Sequence, residues 1–259
     1  MPFPSKIEID LDGDVVVVHD GDGSHKLAMS SAAAFSAISG AWLRCGWDNK
    51  YVYGFTWMGR PIIQLPDDMI RIQEVLYRLK PDVLIETGVA HGGSLIFYAS
   101  LFEAMHHGRV IGVDVDIRPS NRAAIENHEL FERITLIEGD SIAPDIVAQV
   151  KARVAPGETV IIMLDSNHTK THVLGELDAY SDLVSPGSYI VAADGIMASL
   201  VGAPRSSDDW SWNNPLTAAR EFLSRHPEFV MEEPAFPFNE GNVSERVTYW
   251  PGGWLRRTS

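Results

Sequence analysis

Three short apolar runs each end in residues that can hold a polar ligand. Val83-Leu84-Ile85 leads into Glu86-Thr87-Gly88-Val89-Ala90-His91-Gly92-Gly93-Ser94. Glycines in such a turn permit close backbone approach, and free N–H groups at a helix start attract an anion. Val110-Ile111-Gly112-Val113 ends in Asp114, placed to accept hydrogen bonds from both hydroxyls of a ribose. Ile134-Thr135-Leu136-Ile137 ends in Glu138-Gly139-Asp140-Ser141, where a side chain can accept from an adenine amino group. The glycines are spaced G-x-x-x-G-G, unlike the dinucleotide pattern G-x-G-x-x-G. A bare glycine turn is commonly structural, and an Asp at a strand end can simply cap a helix. Three polar strand ends in register favour an adenosine-bearing ligand. NAD and S-adenosylmethionine share the adenosine contacts, so these residues leave the two open.

Strand–helix alternation positions these turns. The runs at 83–85, 110–114 and 134–137 are followed by two more, Thr159–Asp165 and Tyr189–Asp194. Helices are predicted over 94–105, 121–127, 145–154, 173–183 and 215–225. Repeated units of this length imply an α/β fold with a mostly parallel sheet and helices on both faces. A preceding helix starts at Pro66-Asp67-Asp68, with Met69, Ile72, Val75, Leu76 and Leu79 at helical spacing. Residues 229–254 are read as two strands around the loop Pro237–Asn242. Residues 1–65 form an N-terminal extension to the domain at 66–259. The extension opens with a β-hairpin through Ile7–Leu11 and Val15–Val18, followed by a helix at 32–47. Its stretch 49–66 is aromatic and irregular, suited to a core, a subunit interface or the wall of a ligand pocket.

The 259 residues carry 35 Asp and Glu against 21 Lys and Arg, a formal charge of −14. That balance argues against nucleic acid and anionic membrane surfaces as partners. Cys45 is the one cysteine and is read as a structural thiol, so a disulfide within the chain and a thiolate metal cluster are both excluded. No signal peptide and no membrane span are predicted, which reads as a cytoplasmic protein. The aromatic N-terminal third predicts a homo-oligomer.

The most informative segment is Leu164-Asp165-Ser166-Asn167-His168-Thr169-Lys170-Thr171-His172-Val173. With Glu176-Leu177, Tyr180, Gly187-Ser188-Tyr189-Ile190-Val191 and Asp194, it resembles the family of rhamnosyl O-methyltransferases and cephalosporin-hydroxylase-like proteins. The resemblance runs from Thr56-Trp57-Met58-Gly59 to Gly253-Trp254-Leu255-Arg256-Arg257. It implies a Rossmann-like class I methyltransferase fold, S-adenosylmethionine and usually a divalent ion, taken as magnesium, with a hydroxyl of a sugar or other small molecule as acceptor. Cofactor contacts then fall on Glu86, Thr87, Gly88, His91, Gly92, Ser94, Asp114, Asp140, Ser141 and Asp165. Asp165 and Asp194 match the family's metal positions. The residue before the second Asp, usually acidic in the family, is Ala193 here. Magnesium keeps several waters and can be held by one or two carboxylates. His168 stands where catechol-type enzymes carry a lysine base, and imidazole is suited to taking a proton near neutrality. His172, Trp210 and Trp212 are candidates for the acceptor, the two tryptophans equally for an oligomer contact.

Two other readings compete. A catalytically silent member would bind S-adenosylmethionine as a sensor or partner subunit. An oxidative relative would need a two-His-one-carboxylate iron site, which Asp165, His168 and His172 imitate in composition.

Overall fold

The computed structural model describes residues 4–259; the first three residues of the 1–65 extension lie outside it. The extension contributes β1 (Lys6–Asp10), β2 (Val15–Asp20), β3 (Gly23–Ala28), α1 (Ala32–Asp48), β4 (Phe55–Trp57) and β5 (Arg60–Ile62). Then follow α2 (Pro66–Leu79), β6 (Val83–Thr87), α3 (Gly93–Met105), β7 (Arg109–Asp114), α4 (Pro119–Glu126), β8 (Ile134–Glu138) and α5 (Pro144–Lys151). The chain ends with β9 (Val160–Leu164), α6 (Lys170–Tyr180), β10 (Tyr189–Ala192), α7 (Pro215–Arg225), β11 (Phe229–Met231) and β12 (Trp254–Arg257).

Seven strands form one sheet in the order β11-β12-β10-β9-β6-β7-β8. The five from β10 to β8 are parallel, and β12 is antiparallel to both of its neighbours. This is the Rossmann-like sheet that the family resemblance implies. Its strands have few polar residues because both faces are covered. Alternate side chains divide between the faces. Leu84, Val110, Ile161 and Val191 pack with α2, α3 and Ile125 of α4. Val83, Ile85, Ile111, Ile162 and Ile190 pack with α5, α6 and α7. After β8 the chain returns to the other side of β6, so strand order reverses between β6 and β9. Ligands of open α/β sheets bind at such a reversal, beyond the carboxyl ends of the strands.

The N-terminal hairpin is larger than its sequence pattern shows. It is a three-stranded antiparallel sheet, with β3 pairing along all of β2 from Val15↔Ala28 to Asp20↔Gly23. Gly23–Ala28 is mostly exposed and lacks apolar alternation, so it carries no strand signal of its own. The stretch 49–66 contains a second hairpin, β4–β5, turning through Met58 and Gly59 at φ of 43° and 85°. Both central residues in the left-handed region make the tight reversal that a two-residue hairpin favours. The last strand is Trp254–Arg257, displaced from the 229–254 expectation by a long loop after β11. Cys45, read as a structural thiol, is exposed on α1. No helix among the described residues is long and apolar enough to cross a membrane.

Asp68, in the first turn of α2, is buried where its sequence position suggests only a helix-end acid. Its carboxylate accepts from Thr248 Oγ1 at 2.5 Å and from the Tyr249 N–H at 2.9 Å, tying α2 to the segment before β12. Burial pushes its carboxyl up to about 8, and the two hydrogen bonds only partly offset this. The folded chain therefore holds a proton that the unfolded chain releases near pH ~4, and stability from this group falls as pH rises from about 4 to about 8. Asp68→Asn is expected to flatten the decline in melting temperature across that range. An undiminished slope would show that another group produces it.

Candidate active site

The turn after β6 is shaped by what its glycines must clear. Gly88 has φ of 94°, and a Cβ there would lie 2.1 Å from the Asp165 carbonyl oxygen. The Asp165 N–H donates to the Thr87 carbonyl at 2.9 Å, and the Gly88 N–H to the Val113 carbonyl at 2.7 Å. The turn after β6 is thereby held in backbone contact with the end of β7 and with the loop after β9. Gly93 faces the extension: a Cβ would lie 2.1 Å from the Pro61 carbonyl oxygen. Asp114 Oδ2 accepts from the N–H groups of Val89 and Ala90 at 2.7 and 3.1 Å, so this acid braces the glycine turn from β7. Arg60 donates to the His91 carbonyl at 2.6 Å, bracing it from β5.

Beneath the turn, Glu86 and Thr87 are fully buried. Ser94 Oγ donates to Glu86 Oε2 at 2.6 Å. Burial pushes the Glu86 carboxyl up to about 8, with the hydrogen bond from Ser94 opposing. Glu86 Oε1 and Thr87 Oγ1 have no hydrogen-bond partner among the described residues. The helix N-terminus at Gly92 has no side-chain cap, leaving first-turn N–H groups of α3 available to an anion. Orphaned polar atoms, a side-chain-free cradle and an uncapped helix start fit a zwitterionic cofactor end.

Across the strand reversal, Asp165, His168 and Asp194 each place one ligand atom within 4.8 Å of the others. His168 Nε2 lies 3.5 Å from Asp194 Oδ2 and 4.0 Å from Asp165 Oδ1. Asp194 sits just past β10 at φ of 56°, a left-handed conformation that Asp adopts more readily than most residues. Burial, then the charges of Asp194 and Glu86, push the Asp165 carboxyl well above its ordinary value. Burial also raises Asp194, with His168 opposing. Two neighbouring carboxyls for which ionisation is made costly, beside an imidazole, are a donor set whose charged form a divalent cation would stabilise. Ala193 is fully buried in the core, so the position usually acidic in the family offers nothing here.

His172 is not part of this group. Its Nε2 lies 3.3 Å from Glu176 Oε1 and 3.1 Å from Ser141 Oγ. The iron triad imitated by Asp165, His168 and His172 is therefore not assembled. Glu176, fully buried, accepts from Ser141 Oγ at 2.5 Å and from Ser166 Oγ at 2.7 Å. It links the loop after β8 to the loop that carries Asp165. Asp140 is exposed and accepts from the Ile142 N–H at 3.1 Å.

A cleft joins Gly88, His91 and Ser94 to Asp165, His168 and Asp194. Its remaining walls come from residues that carry no motif: Trp47, Lys50 and Tyr53 of the extension, with Gln64, Arg205 and Tyr249. The aromatic stretch 49–66 contains Lys50, Tyr53 and Gln64; Trp47, Arg205 and Tyr249 lie outside it. Trp210 packs edge-to-face on Trp47, centroids 5.8 Å apart, and Trp212 is exposed; neither borders the cleft.

Residues 49–258 match the family described as rhamnosyl O-methyltransferase/CmcI. A rhamnosyl O-methyltransferase of Mycobacterium leprae is 34% identical over 157 residues, covering 56% of this chain and 65% of that protein. One from Mycobacterium bovis is 31% identical over 156 residues, covering 56% and 61%. The chain thus aligns with less than two thirds of either relative's length. Among solved structures, CmcI with magnesium and S-adenosylmethionine aligns with a TM-score of 0.54 at 22% identity, covering 80% of this chain and 78% of that one. Apo CmcI gives 0.54 at 24%, covering 80% and 77%. Both likenesses establish the fold.

The buried network around Glu176 gives a direct test. Glu176 is the first cause of a raised His172 pKa, so Glu176→Gln is expected to move the His172 titration to lower pH, read from its ring-proton NMR shifts. Glu176→Ala, which strands two hydroxyls and an imidazole, should cost about 2–4 kcal/mol in urea unfolding. A loss under about 1 kcal/mol would mean that the network does not hold the two loops together.

Proposed function

This chain belongs to the rhamnosyl O-methyltransferase/CmcI family, and on that premise we propose that it methylates a hydroxyl of a sugar or glycosylated small molecule. The observation that carries this reading is the single cleft in which a glycine turn at the strand reversal meets Asp165, His168 and Asp194. S-adenosylmethionine would supply an electrophilic methyl group, and magnesium would supply positive charge that makes the acceptor hydroxyl easier to deprotonate. The α3 N-terminus and the Gly88–Ser94 turn hold the anionic end of the cofactor. Asp114 is the ribose acceptor, and the Asp140–Ser141 turn faces the adenine. Asp165 and Asp194 would hold the cation.

His168 takes the proton from the acceptor hydroxyl, and Asp194, 3.5 Å from its Nε2, orients the ring and stabilises the imidazolium. Most of the acceleration comes from alignment of the two reactants in one cleft. A second role for His168 is suggested by the ligand-atom cluster itself, in which the imidazole would be a third donor to the cation. Magnesium prefers oxygen donors, which favours the base over the ligand. The exposed Phe35, Trp42 and Tyr51 of the extension support assembly into a homo-oligomer.

Calorimetry with S-adenosylmethionine, with and without magnesium, tests the cofactor, and turnover on a panel of glycosides tests the chemistry. Absence of S-adenosylmethionine binding would sink the proposal. Binding without turnover on any glycoside would favour the silent, sensing role. Asp165→Asn and Asp194→Asn are expected to weaken magnesium binding. His168→Ala should lower kcat by about 10²–10⁴-fold while leaving magnesium affinity intact. Loss of magnesium affinity in His168→Ala would instead make the imidazole a ligand.

A further inference from the structure

Two cations border the cleft without a part in the methyl transfer proposed above. They are Lys50 and Arg205, in a chain of formal charge −14. Arg109, Arg122, Arg133, Arg225 and Arg256 each face a carboxylate. Lys50 and Arg205 do not: among the described residues, the contacts of their charged ends are aromatic and backbone. The Lys50 ammonium lies 5.5 Å from the centre of the Tyr53 ring. The Arg205 guanidinium lies 6.0 Å from the Trp47 ring and donates from Nη1 to the Trp47 carbonyl at 2.6 Å.

The pair is held in place. The Lys50 N–H donates to the same Trp47 carbonyl at 3.1 Å. Trp47 Nε1 donates back to the Arg205 carbonyl at 3.2 Å. Trp47 also packs edge-to-face on Tyr249, centroids 5.5 Å apart. Lys50 itself has a left-handed backbone, φ 54°, a conformation that a lysine keeps only where its surroundings impose it. A single carbonyl thus fixes the Arg205 guanidinium and the Lys50 backbone beside each other at the cleft.

That part of the cleft is the acceptor's. Along the carboxyl edge of the sheet, strand order places Asp114 first, then Gly88, Asp165 and Asp194. Arg205 follows Asp194 in the chain, beyond the short helix Gly195–Ser199, and Lys50 is tied to it through Trp47. The cations line the same cleft as Asp165, His168 and Asp194, whereas Asp114, the proposed ribose acceptor, is not among its lining residues. Resting on the methyltransferase reading, we infer that the acceptor carries an anionic group, a carboxylate or a phosphate, which Lys50 and Arg205 hold. Such a contact selects an acceptor that the acidic surface otherwise repels, and it fixes which hydroxyl faces His168.

The test uses the full chain saturated with S-adenosylmethionine and magnesium, titrated with methyl β-D-glucoside, methyl β-D-glucuronide and glucose 1-phosphate. At least one anionic ligand is expected to bind about tenfold tighter than the neutral glucoside, the worth of one charge-assisted contact. Which of the two binds tighter distinguishes carboxylate from phosphate. In Lys50→Met/Arg205→Gln the preference should fall below about threefold, with S-adenosylmethionine affinity within about twofold of wild type. Lys50→Glu, at an exposed side chain, provides the same readout should the double variant fail to fold. Equal binding of neutral and anionic ligands by a protein that still binds S-adenosylmethionine overturns this inference alone. A preference that survives the substitutions also overturns it. So does a loss of S-adenosylmethionine affinity in the variants, which would assign the cations to the cofactor's carboxylate. If the wild type does not bind S-adenosylmethionine, the methyltransferase reading falls and takes this inference with it.

Discussion

The backbone of Asp165 passes so close to Gly88 that no side chain fits between them. This contact sits where strand order reverses between β6 and β9, and the rest of the site is arranged around it. Because the Asp165 N–H bonds to the Thr87 carbonyl, the loop carrying Asp165 and His168 is registered against the glycine turn. A bulkier residue at 88 would separate the two loops that the proposed reaction must keep together. The positive φ and the missing Cβ are both required, so the glycine has two independent reasons to be there.

Around that contact the protein buries carboxyl groups that a stable core would ordinarily avoid. Glu86, Glu176 and Asp68 are each almost fully inaccessible, and each is bound by hydroxyl or amide donors from another segment. A buried carboxyl is tolerated only where such donors converge, and breaking the set leaves a polar group without water or partner. These acids therefore act as connectors. Glu86 ties β6 to α3, Glu176 ties the loop after β8 to the loop after β9, and Asp68 ties α2 to the segment before β12. Asp165 and Asp194 differ in facing the cleft, where they supply the carboxylates of the proposed cation site.

The N-terminal extension completes the cleft. The β4–β5 hairpin rests on the start of α3 through the Gly93–Pro61 approach, and Arg60 holds the turn through the His91 carbonyl. Trp47 at the end of α1 is locked to Arg205, a residue of the segment after β10. The wall facing Asp165 and Asp194 is thus built from segments far apart in the chain, and neither alone shapes the cleft.

Apolar periodicity was enough to read the parallel strands, their helices and the polar residues at the strand ends, because burial on both faces of a sheet leaves a strong local pattern. The run Asp165-x-x-His168, with Asp194 one strand later, was singled out through the family resemblance, and the fold brings the three together because strand ends of a parallel sheet gather on one edge. β3 was not, because an exposed polar strand pairs through its backbone and leaves no mark in residue type. Nor was the parting of His168 from His172, which depends on where the loop after β9 gives way to α6 and on a buried Glu176 that captures the second ring. The burial of Asp68 and the pairing of Trp47 with Arg205 join residues far apart in the chain. Such contacts are decided by packing between elements rather than by any local spacing, so only the tertiary structure could show them.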